Sequence, residues 1–150
     1  MTDVRIPAGA LVLIGDGKRA RFLRNTGTAL RVQLVTELAL EQENPPTHEQ
    51  GTDRPGRYLR GDRVSRSAVE QTDWHQLAED RFAVRLADEL YRMGHAHQFE
   101  HLIVVAPPKV LGILRSAFHP EVTARIVAEV PKDLTHHPER EIADLLVPRR

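Results

Sequence analysis

Five arginines, Arg54, Arg57, Arg60, Arg63 and Arg66, follow one another at a strict spacing of three. In an extended polyproline-like chain, with three residues per turn, they fall on one face. A guanidinium is a planar fork that grips phosphate through paired bonds, so such a row suits anion or RNA binding. A second run of cations, Lys18, Arg19, Arg21, Arg24 and Arg31, has no acid between residues 18 and 31. Asp53, Asp62 and Glu70 dilute the first row. The plain alternative for it is a solvated loop in an arginine-rich chain.

Charged groups at predicted strand ends form a second constellation. Pro108-Lys109 and Pro131-Lys132 place a cation where the N–H groups of a helix start point outward. With Asp16 and Asp133 they would line a crevice at the carboxyl ends of the strands, the usual ligand position in open α/β sheets. A hydrolase acting there is the alternative to a binding protein. A two-metal nuclease needs several converging carboxylates, but the fourth predicted strand ends in Ala106-Pro107-Pro108. Gly15-Asp16-Gly17 is also ordinary turn chemistry. The spacings of His95, His97 and His101, and of His136-His137, could hold zinc or nickel. Both groups, however, flank predicted helix ends, where histidine is favoured without a metal. No Ser/His/Asp arrangement and no glycine-rich nucleotide fingerprint is present. The expectation is therefore no catalytic residue, no metal and no cofactor.

The chain of 150 residues is 41% hydrophobic and 28% charged, as in an ordinary globular domain, and its length suits one domain over 1–150. It lacks cysteine, which removes disulfides, zinc-thiolate sites and cysteine nucleophiles together. Lys+Arg and Asp+Glu both number 21, so no uniformly basic domain is present. The zero is a cancellation between segments, because residues 37–50 carry four acids and no Lys or Arg. The start of the chain does not read as a signal peptide and no stretch reads as a membrane span, so a cytoplasmic location is expected.

The elements that must position these groups follow from periodicity. Ala10–Ile14 is a continuous apolar run, as in a strand buried on both faces. Arg19–Leu23 follows as a hairpin partner, and Ala29–Leu38, alternating at Leu30, Val32 and Leu34, gives a third strand. From Ala39 to Thr72 no period holds, and a loop of that length in a compact domain is functional or disordered. Asp73 and Gln76 form a capping-box pattern for a first helix, with Trp74, Leu77, Ala78, Phe82, Leu86, Leu90 and Met93 inward and Gly94 at the left-handed end position. Leu102–Ala106 and Arg125–Val130 are two further strands. A helix from Pro107-Pro108 to Phe118 lies between them, where Gly112 implies close packing on the sheet, and a last helix spans Pro138–Leu146 with Ile142, Leu145 and Leu146 inward. The order predicts an α/β domain with one five-stranded mixed sheet: an antiparallel meander, then two parallel strands, with three helices, of ribonuclease H-like type.

Three stretches carry a resemblance: Leu13 to Phe22, Ala106 to Arg115, and Glu129 to Thr135. Together they resemble the bacterial host attachment protein family, which is related to the middle domain of archaeal and eukaryotic peptide-chain release factors. The resemblance spans nearly the whole chain and implies the fold and a translation-related ancestry. In the release-factor domain a Gly-Gly-Gln loop between the third strand and the first helix promotes peptidyl-tRNA hydrolysis. The loop at 39–72 holds Gly61-Asp62-Arg63 and Gln71 but no Gly-Gly-Gln, so the resemblance supplies no catalytic residue.

The expectation is a non-catalytic intracellular binding protein for tRNA or the ribosome. Arg54, Arg57, Arg60, Arg63, Arg66, Lys18, Arg19, Arg21, Lys109 and Lys132 would contact phosphates, and Asp16 and Asp133 would be crevice carboxylates. Any part in host attachment would then be indirect. A third reading is an adaptor or homodimer in an attachment pathway, built on the exposed edge of the meander, with no membrane contact.

Overall fold

The computed structural model describes residues 4–42 and 62–147, with side chains described outside 62–73. Strands β1 (Leu11–Gly15), β2 (Arg19–Asn25), β3 (Leu34–Glu41), β4 (Leu102–Val105) and β5 (Ile126–Val130) form one sheet in the order β3-β2-β1-β4-β5. β1 to β3 pair antiparallel, and β4 and β5 add parallel, as the meander-then-crossover order requires. β1 is central and wholly buried, which accounts for its unbroken apolar run.

Among the described residues four helices accompany the sheet: α1 (Asp62–His95), α2 (Pro108–Ala117), α3 (Pro120–Thr123) and α4 (Glu139–Leu146). One core layer joins Leu13, Phe22 and Val104 to Phe82, Leu86 and Leu90 of α1 and Leu114 of α2. The other joins Val12, Ile14, Ile103 and Val105 to Ile142 and Leu146 of α4. Period-two alternation on β1 and β4 divides the two layers.

Several expectations are corrected. α3 is additional to the three predicted helices; its four residues are too few to show a period. Pro120 and the His119 ring start it, with Nδ1 accepting the Glu121 N–H. α1 begins at Asp62, not Asp73, so Asp73 is a helix-interior residue. The segment 39–72 is correspondingly not one irregular loop: Ala39 to Glu41 belong to β3, and 62–72 are helical. A helix running past the end of its sheet needs no apolar stripe facing that sheet there, so sheet-facing periodicity does not report it.

β3 starts at Leu34, and Leu30 is 95% exposed, because Asn25 closes the preceding residues into a turn. The buried Asn25 amide donates to the carbonyls of Ile6, Pro7 and Thr28, and its oxygen accepts from Gly27 and Gln33. A Cβ at Gly27 would lie 2.1 Å from the Arg31 carbonyl oxygen, so only glycine fits there.

Gly94 lies inside α1 rather than beyond it. A Cβ there would sit 3.2 Å from Arg125 Nε, and the positive φ falls on His97 instead, at 60°. Gly112 is not pressed on the sheet either, since nothing lies within 4 Å of its Cβ position. Leu77 and Leu145, expected inward, are about as exposed as they are covered, at 40% and 42%.

Candidate functional site

The β1–β2 turn is built by Asp16, whose Oδ1 accepts from the Lys18 and Arg19 amides, while Gly17 takes φ +93°. This turn straddles the carboxyl end of the sheet. On the α4 side, the other carboxyl oxygen of Asp16 lies 3.2 Å from the Thr135 hydroxyl, which is 2.6 Å from Asp133 Oδ1. A hydroxyl has one proton, and the shorter contact marks its donation to Asp133. That bond holds the Asp133 carboxyl below the usual carboxylate range; the Thr135 amide and the nearby His136 and His137 add to the effect, against some desolvation.

Arg21 lies on the same side of β2. Its Nη2 reaches the carbonyls of Thr135 at 3.0 Å, His137 at 2.6 Å and, at 3.5 Å, Leu134. The loop between β5 and α4 has no strand neighbour over these residues, so its buried carbonyls need a donor, and Arg21 supplies it. The His137 ring lies 3.0 Å from Glu141, and the Thr36 amide donates to Glu139 at 2.7 Å. Hydrogen bonding from Thr36 lowers the Glu139 carboxyl pKa, with a smaller contribution from the Arg21 charge. Between this loop and the β2–β3 pair lies a cleft of about 420 Å³, lined by Arg19, Arg21, His136 and Leu40 among others.

The α1 side of the same turn is filled. A Cβ on Gly17 would meet the Glu79 carboxylate and Val110, each at 3.5 Å. Lys109 Nζ stands 3.7 Å from Glu79 Oε1, an oxygen otherwise buried without a hydrogen bond.

The predicted groups therefore divide. Asp16 and Asp133 come together through Thr135, whereas Lys109 is across the sheet against Glu79, so the four residues of the hydrolase reading do not form one constellation. Lys18, Arg19 and Lys132 are exposed at the carboxyl end and make no ion pair among the described residues. Arg24 is tied by two bonds to Glu37 and donates to the carbonyls of Gly9 and Gln98, so it is structural. Arg54, Arg57 and Arg60 lie outside the described residues. Arg63 and Arg66 lie on α1, where a polyproline-like row does not apply.

Gly94 and Arg125 mark the opposite end of the sheet and Glu79 the carboxyl end, so residues 62–78 carry α1 roughly 25 Å beyond it. Sequence reasoning missed Thr135 and the carbonyl contacts of Arg21. The Asp133-x-Thr135 spacing, which allows an Asx-type turn, is the signal that could have found the first. Among the described residues no group of three or more His, Asp or Glu is placed to hold a metal, and no helix is long and apolar enough to cross a membrane.

A comparison with curated proteins gives no significant match. A family model does match, over residues 9–146, and this range takes in all five strands and the whole of α1. The chain belongs to the bacterial archaeo-eukaryotic release factor family, as family 12.

Proposed function

We propose that the protein is a non-catalytic, intracellular RNA-binding protein associated with tRNA or the ribosome, and that cations at the carboxyl end of the sheet hold phosphates. The observation that carries the reading is the exposure of Lys18, Arg19 and Lys132 at that end, unpaired among the described residues. The length of α1 supports it, because the helix backbone carries positions 63 and 66 beyond the carboxyl end of the sheet. Family membership supports a translation-related partner. A role in host attachment would be an indirect consequence of this binding.

Phosphate contacts release counterions, so affinity must fall with salt. Binding of tRNA and of ribosomes is measured across a salt series for the wild type, for Lys18/Arg19/Lys132→Ala and for Arg57/Arg60/Arg63→Ala. The expected result is a negative salt slope that becomes shallower by about one for each contact removed. Absence of binding at low salt, or slopes identical in all three proteins, sinks the reading.

A further inference from the structure

We propose that the cleft between β2 and the β5–α4 loop binds a nucleoside phosphate, with the phosphate against Arg21 and Arg19 and the nucleoside along the apolar wall. All three carbonyl contacts of Arg21 are made by Nη2. Nε and Nη1 have no hydrogen-bond acceptor among the described residues, and neither is a buried orphan. Arg21 is thus fixed from one side with donors left on the other. A guanidinium held this way loses little freedom on binding, and its fork matches phosphate oxygens.

Arg19 lies two residues earlier on β2, so it shares the face of Arg21 and lines the same cleft. The exposed His136 lies on its rim. Ala39, paired with Arg21 across the strands, and Pro138 give a short apolar wall for a sugar and base, while the Ala20 and Leu40 side chains point to the opposite core layer. Glu41 is the one carboxylate among the lining residues, so two guanidiniums outweigh it. The volume, about 420 Å³, falls in the range of small-ligand sites. This deepens the RNA reading and rests on it for one source of the ligand, the phosphorylated end of an RNA chain. A free nucleotide presents the same chemistry.

The full chain, labelled for amide NMR, is titrated with adenosine 5′-monophosphate, with adenosine, and with one short oligoribonucleotide bearing or lacking a 5′-phosphate. The monophosphate is expected to shift amides at 19–21, 39–41 and 135–137 and to bind about tenfold or more tighter than adenosine, the value of one charge-assisted bond. Arg19→Ala and Arg21→Lys should each remove about that factor. The lysine keeps a donor for the loop carbonyls, and the spectrum itself reports that the fold survives. A preference for the phosphorylated oligonucleotide assigns the site to RNA ends; indifference between the two, with the monophosphate still bound in the cleft, assigns it to free nucleotides. Equal affinity for adenosine and its monophosphate, shifts elsewhere, or unchanged affinity in both variants overturns the proposal. RNA binding retained at full strength in both variants with no monophosphate site overturns the cleft alone. A monophosphate site in a protein that binds no RNA overturns the RNA reading alone.

Discussion

Residues 16 and 17 are neighbours in one turn, yet they face opposite kinds of environment. On the α1 side, the space beside Gly17 is closed by Glu79 and Val110, which a Cβ there would meet at 3.5 Å, and Lys109 stands over the carboxylate. On the α4 side, Asp16 meets a hydroxyl, a second carboxylate and a loop held by a guanidinium, next to an open cleft. The cause is the covering element. α1 runs 34 residues and passes the end of the sheet, so its side chains fill the space there. α4 has eight residues and starts only after a loop, so backbone carbonyls at this end find side chains as partners. A long helix fills the space beside the turn; a short helix behind a loop leaves a polar, accessible cleft there.

The contrast breaks most visibly from the packed side. Phe82 is 4% exposed within the core layer under α1, and Phe82→Ala should cost about 3–5 kcal/mol in chemical denaturation. A loss well under 2 kcal/mol would mean that the α1 side is not the packed half. On the polar side, Arg21→Ala removes a charged donor from carbonyls at 2.6 and 3.0 Å, so a loss of about 2–3 kcal/mol is expected. Faster hydrogen exchange should accompany it, confined to residues 134–137. Uniform exchange across the sheet would show that the loop is not a separately held unit.

Thr135→Val should cost about 1 kcal/mol at neutral pH, and its pH dependence is the sharper readout. The Asp133 carboxyl is lowered in the fold, chiefly by the Thr135 hydroxyl. Its contribution is therefore present above the unfolded carboxyl pKa and is lost as pH falls through the lower folded value. Wild-type stability should decline more steeply than that of Thr135→Val below about pH 4, the unfolded Asp value. Parallel decline in denaturation series at pH 2–6 would contradict this. The smallest effect belongs to Lys109→Met. An ion pair at 3.7 Å with the lysine largely exposed is worth about 0–1 kcal/mol, checked by the same denaturation with and without added salt.

Much of this fold is legible in the sequence where burial imposes a period. The apolar runs of β1 and β4 and the spacing of Phe82, Leu86 and Leu90 on α1 mark elements that the structure contains. Periodicity fails where the sheet does not back the chain. The first turns of α1 extend past the sheet, and α3 is shorter than any detectable period. It also misplaces β3, since Leu30 and Val32 alternate with Leu34, but Asn25 draws the intervening chain into a turn.

The candidate site divides the same way. Composition and order, by themselves, determine a mixed α/β sheet, a cation-rich β2 and charged residues after the strands, because these depend on local pattern and on the short connections between elements. They do not determine which cations remain free. Arg19, Arg21 and Arg24 are alike in sequence, but one stands exposed, one is bonded to the carbonyls of a loop more than a hundred residues later, and one is locked to Glu37. Only the tertiary structure decides this, because a guanidinium is spent or left open by acceptors that the fold, rather than the chain, brings within hydrogen-bond distance.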